Sequence, residues 1–125
     1  QVSLVVGADI ADAVLEGQQL NQPLRHVRGA AAVDPLVSVD PSSAIVEAVK
    51  LAEDGSGDVV VRIYEPLGRR ATTPVGVTFG YDRVVRTDLL ERETGSVEVD
   101  GSGVVGLTLR PFEIVTLRFV GASAR

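Results

Sequence analysis

The chain has 125 residues, 45% of them hydrophobic, a net charge of −5 and no cysteine. That length supports one domain with a real core, burying roughly two thirds of the surface its unfolded form exposes. The acidic balance argues against nucleic acid, the missing cysteines exclude disulfides and thiolate metal sites and suit the cytoplasm, and there is neither a signal peptide nor an apolar run near the ~20 residues that cross a bilayer.

Val2–Val6 opens the chain as a short apolar run, an edge strand or the tail of one begun upstream. Ala11–Leu20 is ambiguous: Ala11, Val14, Leu15 and Leu20 can line a helix face, which Pro23 then stops by pushing Gln22 out of the α region. Leu36–Val39 predicts a short strand, broken by Asp40-Pro41-Ser42-Ser43. Ala44–Ala52 supports two readings. Asp40 or Ser42 can cap a helix with Ile45, Val46, Val49 and Ala52 at helical spacing, whereas Ile45, Glu47, Val49 and Leu51 alternate as in a strand. Local sequence leans to the helix. Further strands are expected at Val59–Tyr64, at Val75–Phe79 with Pro74 in the first position, and at Val84–Glu91, Val97–Val99, Val104–Leu109 and Phe112–Val120. Gly121–Arg125 reads as a fraying tail. Strands of this length at intervals of about ten residues predict an antiparallel β-sandwich. Asp54-Gly-Ser-Gly and Asp100-Gly-Ser-Gly, each before an apolar strand, read as reuse of one good turn, because glycine accepts positive φ without steric cost.

Candidate chemistry is sparse. His26 is the one histidine, whereas a catalytic zinc site takes about three protein ligands with histidine prominent. Asp54, Ser56 and Asp58 fall at positions one, three and five of an acidic loop and Glu65 at position twelve, near the calcium pattern of EF-hands. Val59 stands where that loop needs glycine, and the β-branched segment after it excludes the exiting helix, so a solvated hairpin turn is the simpler reading. No Gly-x-Ser-x-Gly elbow or second histidine supports a nucleophilic serine. Glu65 and Glu113 lie at strand ends and could meet as the carboxylate pair that retaining glycosidases hold ~5 Å apart, but beside Arg62, Arg69 and Arg110 they read more simply as surface ion pairs. Arg69-Arg70 could hold an anion, though adjacent arginines in a turn ordinarily face water. The chain has no methionine, which predicts a processed or excised piece of something longer, and arginine outnumbers lysine eleven to one, which fits GC-rich coding better than an arginine-specific site.

Glu47–Gly55 followed by Val61-Arg62-Ile63-Tyr64-Glu65 resembles the C-terminal β domain of family 38 glycoside hydrolases, the α-mannosidases. There a strand ending in Lys-x-Ala-Glu-Asp, here Lys50, Glu53 and Asp54, passes through a glycine turn, here Gly55, into a strand closing in Arg-x-Tyr-Glu, here Arg62, Tyr64 and Glu65. Leu20–Leu24 is similar to the family's Leu-Asn-x-Pro-Leu, with Asn21 and Pro23; Thr87–Arg92 to its Asp-Leu-Leu-Glu, with Glu91; and Leu109–Leu117 to its closing strand, with Phe112 and Glu113. The resemblance runs from Leu20 to Phe119.

It implies an all-β, single-domain antiparallel sandwich over residues 1–120, of the immunoglobulin-like or galactose-mutarotase-like accessory type, in which Ala44–Ala52 is a strand. It also implies a retaining, zinc-dependent α-mannosidase as parent, with the nucleophile and the zinc ligands in an upstream α/β domain. No catalytic, cofactor-binding or metal residue carries over to this chain. The expected role is a non-catalytic sandwich that buries an apolar patch against the upstream domains of the same polypeptide, or against a second copy in a homo-oligomer. A carbohydrate-binding module is the second reading; it needs exposed aromatics, and only Tyr81, in Gly80-Tyr81-Asp82, is expected at the surface, with the phenylalanines in the core. An unrelated interaction domain of immunoglobulin type, the third, is disfavoured by the Asn-x-Pro-Leu and Asp-Leu-Leu-Glu matches.

Overall fold

A computed structural model of the chain describes residues 2–22, 26–29 and 31–123. Pro23 of the Leu-Asn-x-Pro-Leu match and the last two residues of the expected tail, Ala124 and Arg125, lie outside the described residues. The chain divides into two compact units, Gln1–Val33 and Asp34–Arg125.

The N-terminal unit contains a helix, α1 (Ile10–Asn21). Its start is local chemistry. The Asp9 carboxylate accepts the Asp12 N–H (3.0 Å) and Asp12 returns the bond to the Asp9 N–H (3.1 Å), which satisfies two of the donors a helix N-terminus leaves open. At the other end the Asn21 side-chain amide donates to the Gly17 carbonyl (2.9 Å). Val2–Val6 forms no strand and its side chains are exposed. Among the described residues no helix is long and apolar enough to cross a membrane.

Residues 34–123 form two antiparallel sheets packed as a sandwich. The strands are β1 (Val37–Ser38), β2 (Ile45–Leu51), β3 (Val59–Tyr64), β4 (Ala71–Val77), β5 (Arg83–Thr87), β6 (Glu93–Ser96), β7 (Val105–Leu109) and β8 (Ile114–Val120). One sheet runs β1-β4-β7 and the other β2-β3-β8-β5-β6, every pairing antiparallel. Alternate residues of the strands face inward and bury Val61 and Ile63 of β3, Val75 of β4, Leu107 and Leu109 of β7, and Leu117 and Phe119 of β8. Phe119 anchors this core, edge-on to Phe79 (5.4 Å) and Tyr81 (5.0 Å).

Ala44–Ala52 is a strand, not a helix. The register shifts between Val46 and Ala48, so one residue bulges. Val46, Val49 and Leu51 pair with the inward-facing Ile63, Val61 and Val59, while Ile45, Ala48 and Lys50 share the outer face with Tyr64, Arg62 and Val60. The bulge puts two residues, Glu47 and Ala48, between the inward valines Val46 and Val49, and that spacing is what resembled a helix. Asp40, the candidate helix cap, closes a turn instead, accepting the Ser42 N–H and both the Ser42 and Ser43 hydroxyls.

Three other expectations move by a few residues. Pro74 lies inside β4 rather than at its start; β1 pairs only with Gly76 and Val77, so at Pro74 the strand has no neighbour on that side to want an N–H. The strand expected over Val84–Glu91 ends at Thr87, because Asp88 accepts the N–H groups of Leu90 and Arg92 and turns the chain. The edge strand is Glu93–Ser96, not Val97–Val99, of which Val99 makes a single bridge to Val105. At the C-terminal end the Gly121 N–H donates to Asp58, and Ser123 exchanges two backbone bonds with Gly80 (2.9 Å each).

Candidate functional site

The structure gathers most of the motif residues into two clusters at opposite ends of the five-stranded sheet. The first lies around the turn between β2 and β3. Arg118, on the outer face of β8, donates Nε to Asp58 Oδ2 (2.7 Å) and Nη2 to Asp54 Oδ2 (2.7 Å) and Ser56 Oγ (3.1 Å). The second Asp58 oxygen accepts the Gly121 N–H (3.0 Å). The three residues that matched a calcium loop therefore do bind a cation, and it is the guanidinium of their own chain. The Ser56 hydroxyl and N–H, together with Arg118, hold the Asp54 carboxyl down at about 2. At Asp58 burial opposes the charge, but the Gly121 N–H and Arg118 outweigh it and keep the carboxyl below its ordinary value. Gly55 and Gly57 complete the turn at φ 72° and 86°.

Beside it, Glu91 sits at φ 63° in the turn after β5. Its carboxylate accepts Lys50 Nζ on one oxygen (2.6 Å) and the Glu53 N–H on the other (2.8 Å), while Lys50 also reaches Glu53 (2.5 Å). Lys50 draws the Glu91 carboxyl below its ordinary value. Arg118 stands in register between Val60 and Val85, both buried, and the aliphatic stems of Lys50 and Arg118 flank them on this outer face. A cleft of about 250 Å³ remains, lined by Asp58, Arg83, Glu91, Glu93 and Arg118. Arg83 pairs with Glu93 (3.2 Å), so each charge lining the cleft already has a partner in this chain.

The second cluster joins the loop after β3 to the turn before β8. Glu65 is fully buried and, among the described residues, pairs with no cation. Its carboxylate accepts four backbone N–H groups instead: Leu67 (2.9 Å) on one oxygen, and Gly68 (2.8 Å), Arg69 (3.2 Å) and Phe112 (3.0 Å) on the other. Burial disfavours the charge, yet these donors prevail and the carboxyl lies below its ordinary value. Glu113 accepts the Arg110 N–H (2.7 Å) and pairs with Arg110 (3.3 Å) and Arg86 (3.7 Å); it too is drawn down. Glu65 and Glu113 thus meet through the backbone, the Glu65 N–H donating to the Glu113 carbonyl (3.0 Å), but both are anions. A glycosidase pair needs one member protonated as the acid.

The aromatic surface differs from expectation. Tyr81 is half-buried, with its hydroxyl on the Gly103 carbonyl (3.0 Å) and its ring against Phe119. Phe112, expected in the core, is 71% exposed at φ 57°, its ring lying over Gly68. The turn Arg110–Glu113, held by Glu65, lifts it out. On the outer face Ile45, Tyr64 and Ile114 stand side by side across β2, β3 and β8, and Arg62, next along, has a buried Nε with no partner among the described residues. At the first end, an apolar groove of about 380 Å³ opens between β1 and β2, lined by Leu36, Val49, Leu51, Val59, Phe79 and Ala122.

Among the described residues no group of three or more histidine, aspartate and glutamate side chains could hold a metal ion, and His26 is exposed in a loop. The carboxylates nearest one another are committed to arginine, lysine or N–H donors, which is not a donor set for zinc. Sequence reasoning missed Arg118 and Asp88. The available signal for Arg118 was an acidic turn with no cation beside it and a charge inside the apolar run Leu117–Phe119. A family model described as the glycosyl hydrolases family 38 C-terminal beta sandwich domain matches residues 43–117, more than half of the chain. A search of curated proteins finds no match.

Proposed function

This chain belongs to the C-terminal β-sandwich domain family of family 38 glycosyl hydrolases, and we propose that it is the non-catalytic sandwich of an α-mannosidase, packing on the rest of that polypeptide and stabilising it. The observation that carries this reading is the fate of the motif carboxylates. Asp54, Glu65, Glu91 and Glu113 are all consumed by donors of the same sandwich, and all lie below their ordinary values, so none serves as a proton donor near neutral pH. Such residues are kept for shape: they fasten loops that a hydrolase needs in place, while nucleophile, acid and zinc sit in the catalytic part of the parent. The exposed apolar side chains at both ends of the five-stranded sheet support the packing role, because patches of this kind ordinarily mark contact surfaces. The lack of cysteine supports a cytoplasmic setting.

The test is direct. The purified chain, incubated with an aryl α-mannoside with and without zinc, hydrolyses none, whereas the complete polypeptide does. The same polypeptide lacking residues 34–125 loses activity on warming sooner than the intact one. Turnover by the chain alone, or a deletion without effect on thermal inactivation, rejects the proposal.

A further inference from the structure

Phe112 stands where the backbone asks for another residue. At φ 57° an L side chain crowds the following carbonyl, and glycine or asparagine is the ordinary occupant. A large aromatic left 71% exposed in that conformation gains little burial to offset the strain. Yet the position is built with care. The buried Glu65 carboxylate holds the Phe112 N–H and, three to four residues on from itself, the Gly68 and Arg69 N–H groups, so two loops are locked together beneath the ring. Gly68 lies so close under the ring that a Cβ there would come within 2.6 Å of it.

The surroundings extend the feature into a surface. Ile114, two residues on, is 55% exposed, and Tyr64 beside it in register is half-buried. The rim is basic: Arg69, Arg70 and Arg110 are exposed; Arg110 pairs with Glu113 (3.3 Å), Arg69 gives its guanidinium to the neutral Ser42 carbonyl, and among the described residues Arg70 makes no ion pair. This stands against a chain whose net charge is −5.

We infer that Phe112 is the anchor of a docking surface, completed by Ile114 and rimmed by Arg69, Arg70 and Arg110, and that its occupant is an apolar patch edged with carboxylates on the remaining polypeptide of the hydrolase. The inference rests on the accessory-domain reading and adds where the sandwich attaches and what chemistry receives it. A rigid aromatic presented on a fixed backbone loses little conformational freedom on binding, which is why such residues dominate contact energetics. The basic rim selects an acidic partner and makes the contact sensitive to salt.

Hydrogen exchange on the complete hydrolase, compared with the isolated chain, tests it. The amides of Arg110, Phe112, Glu113 and Ile114 exchange at least tenfold more slowly in the complete polypeptide, and F112N removes that protection there while the isolated F112N chain unfolds at a temperature equal to or above wild type. A ring kept only to cover Gly68 gives the opposite: no added protection in the complete polypeptide and a lower midpoint for the isolated variant. Added protection confined to Val49–Leu51, in the apolar groove, overturns this surface but keeps the accessory reading; no added protection anywhere in residues 34–123 overturns both. An isolated wild-type chain that sediments as a dimer, and as a monomer once F112N is introduced, puts a second copy on the surface and overturns the assigned occupant.

Discussion

Replacing Glu65 separates its charge from its shape. Four N–H donors meet its carboxylate at 2.8–3.2 Å. Two belong to half-buried residues, Leu67 and Gly68, and two to exposed ones, Arg69 and Phe112, which can take water instead. Glu65→Ala therefore strands about two donors, each costing about 1–3 kcal/mol, for a loss of about 2–6 kcal/mol. Glu65→Gln keeps an acceptor for one group of donors but turns an amide N–H₂ on the other, so about 1–3 kcal/mol is lost. The pH dependence carries the sign. The folded carboxyl lies below its ordinary value, so its contribution is fully present above the unfolded pKa of about 4.3 and disappears as pH falls through the lower folded value. Urea unfolding of the chain at pH 7, followed by tryptophan-free probes such as far-ultraviolet circular dichroism, should show both variants at lower midpoints with unchanged slope. The gap between wild type and Glu65→Gln should then narrow as pH is lowered from 5 towards 3, within the carboxylate range. A Glu65→Gln midpoint equal to wild type at pH 7, or a gap that stays constant with pH, refutes the reasoning that a charged acceptor holds these loops.

Arg118→Leu leaves Asp58 buried without its cation and should cost about 3 kcal/mol of unfolding free energy at pH 7; added calcium should not raise the melting temperature of the wild-type chain, whose acidic turn is already occupied. A calcium-dependent rise in wild type would sink that assignment. Gly68→Ala combines a left-handed backbone with a methyl group driven into the Phe112 ring, and should destabilise the chain by about 2 kcal/mol or more. Adding Phe112→Ala should restore the part of that loss due to the ring, measured as a non-additive double-mutant cycle; strict additivity would mean the two residues do not meet.

Much of the sandwich was legible. β3, β7 and most of β8 follow alternation between turn residues, and the Asp-Gly-Ser-Gly turns are where glycine and aspartate put them: Asp54 and Asp100 each accept the N–H of the serine two residues on. Local sequence leaves β2 open and leans to a helix, because a bulge shifts its inward valines onto a spacing that mimics one, and the family resemblance decides for the strand. Glu91 and Phe112 were read as strand residues; their left-handed turns arise from side-chain acceptors, Asp88 and Glu65, the second of them 47 residues away, and local pattern carries no such information. The clusters share this character. Lys50 and Glu91, or Asp54 and Arg118, become neighbours only when the sheet order is known.

That sheet order also bears on how the chain is made. The five-stranded sheet consists of two hairpins, β2–β3 and β5–β6, whose backbones pair only through β8, the last of these strands to leave the ribosome. Until residue 120 emerges, β3 and β5 each wait with one edge open, and the Arg118 clasp on the first hairpin has not been synthesised. A nascent or prematurely ended chain is therefore a pair of unjoined ribbons with aggregation-prone edges, and the sandwich forms as a late, all-at-once event set by its final seven-residue strand.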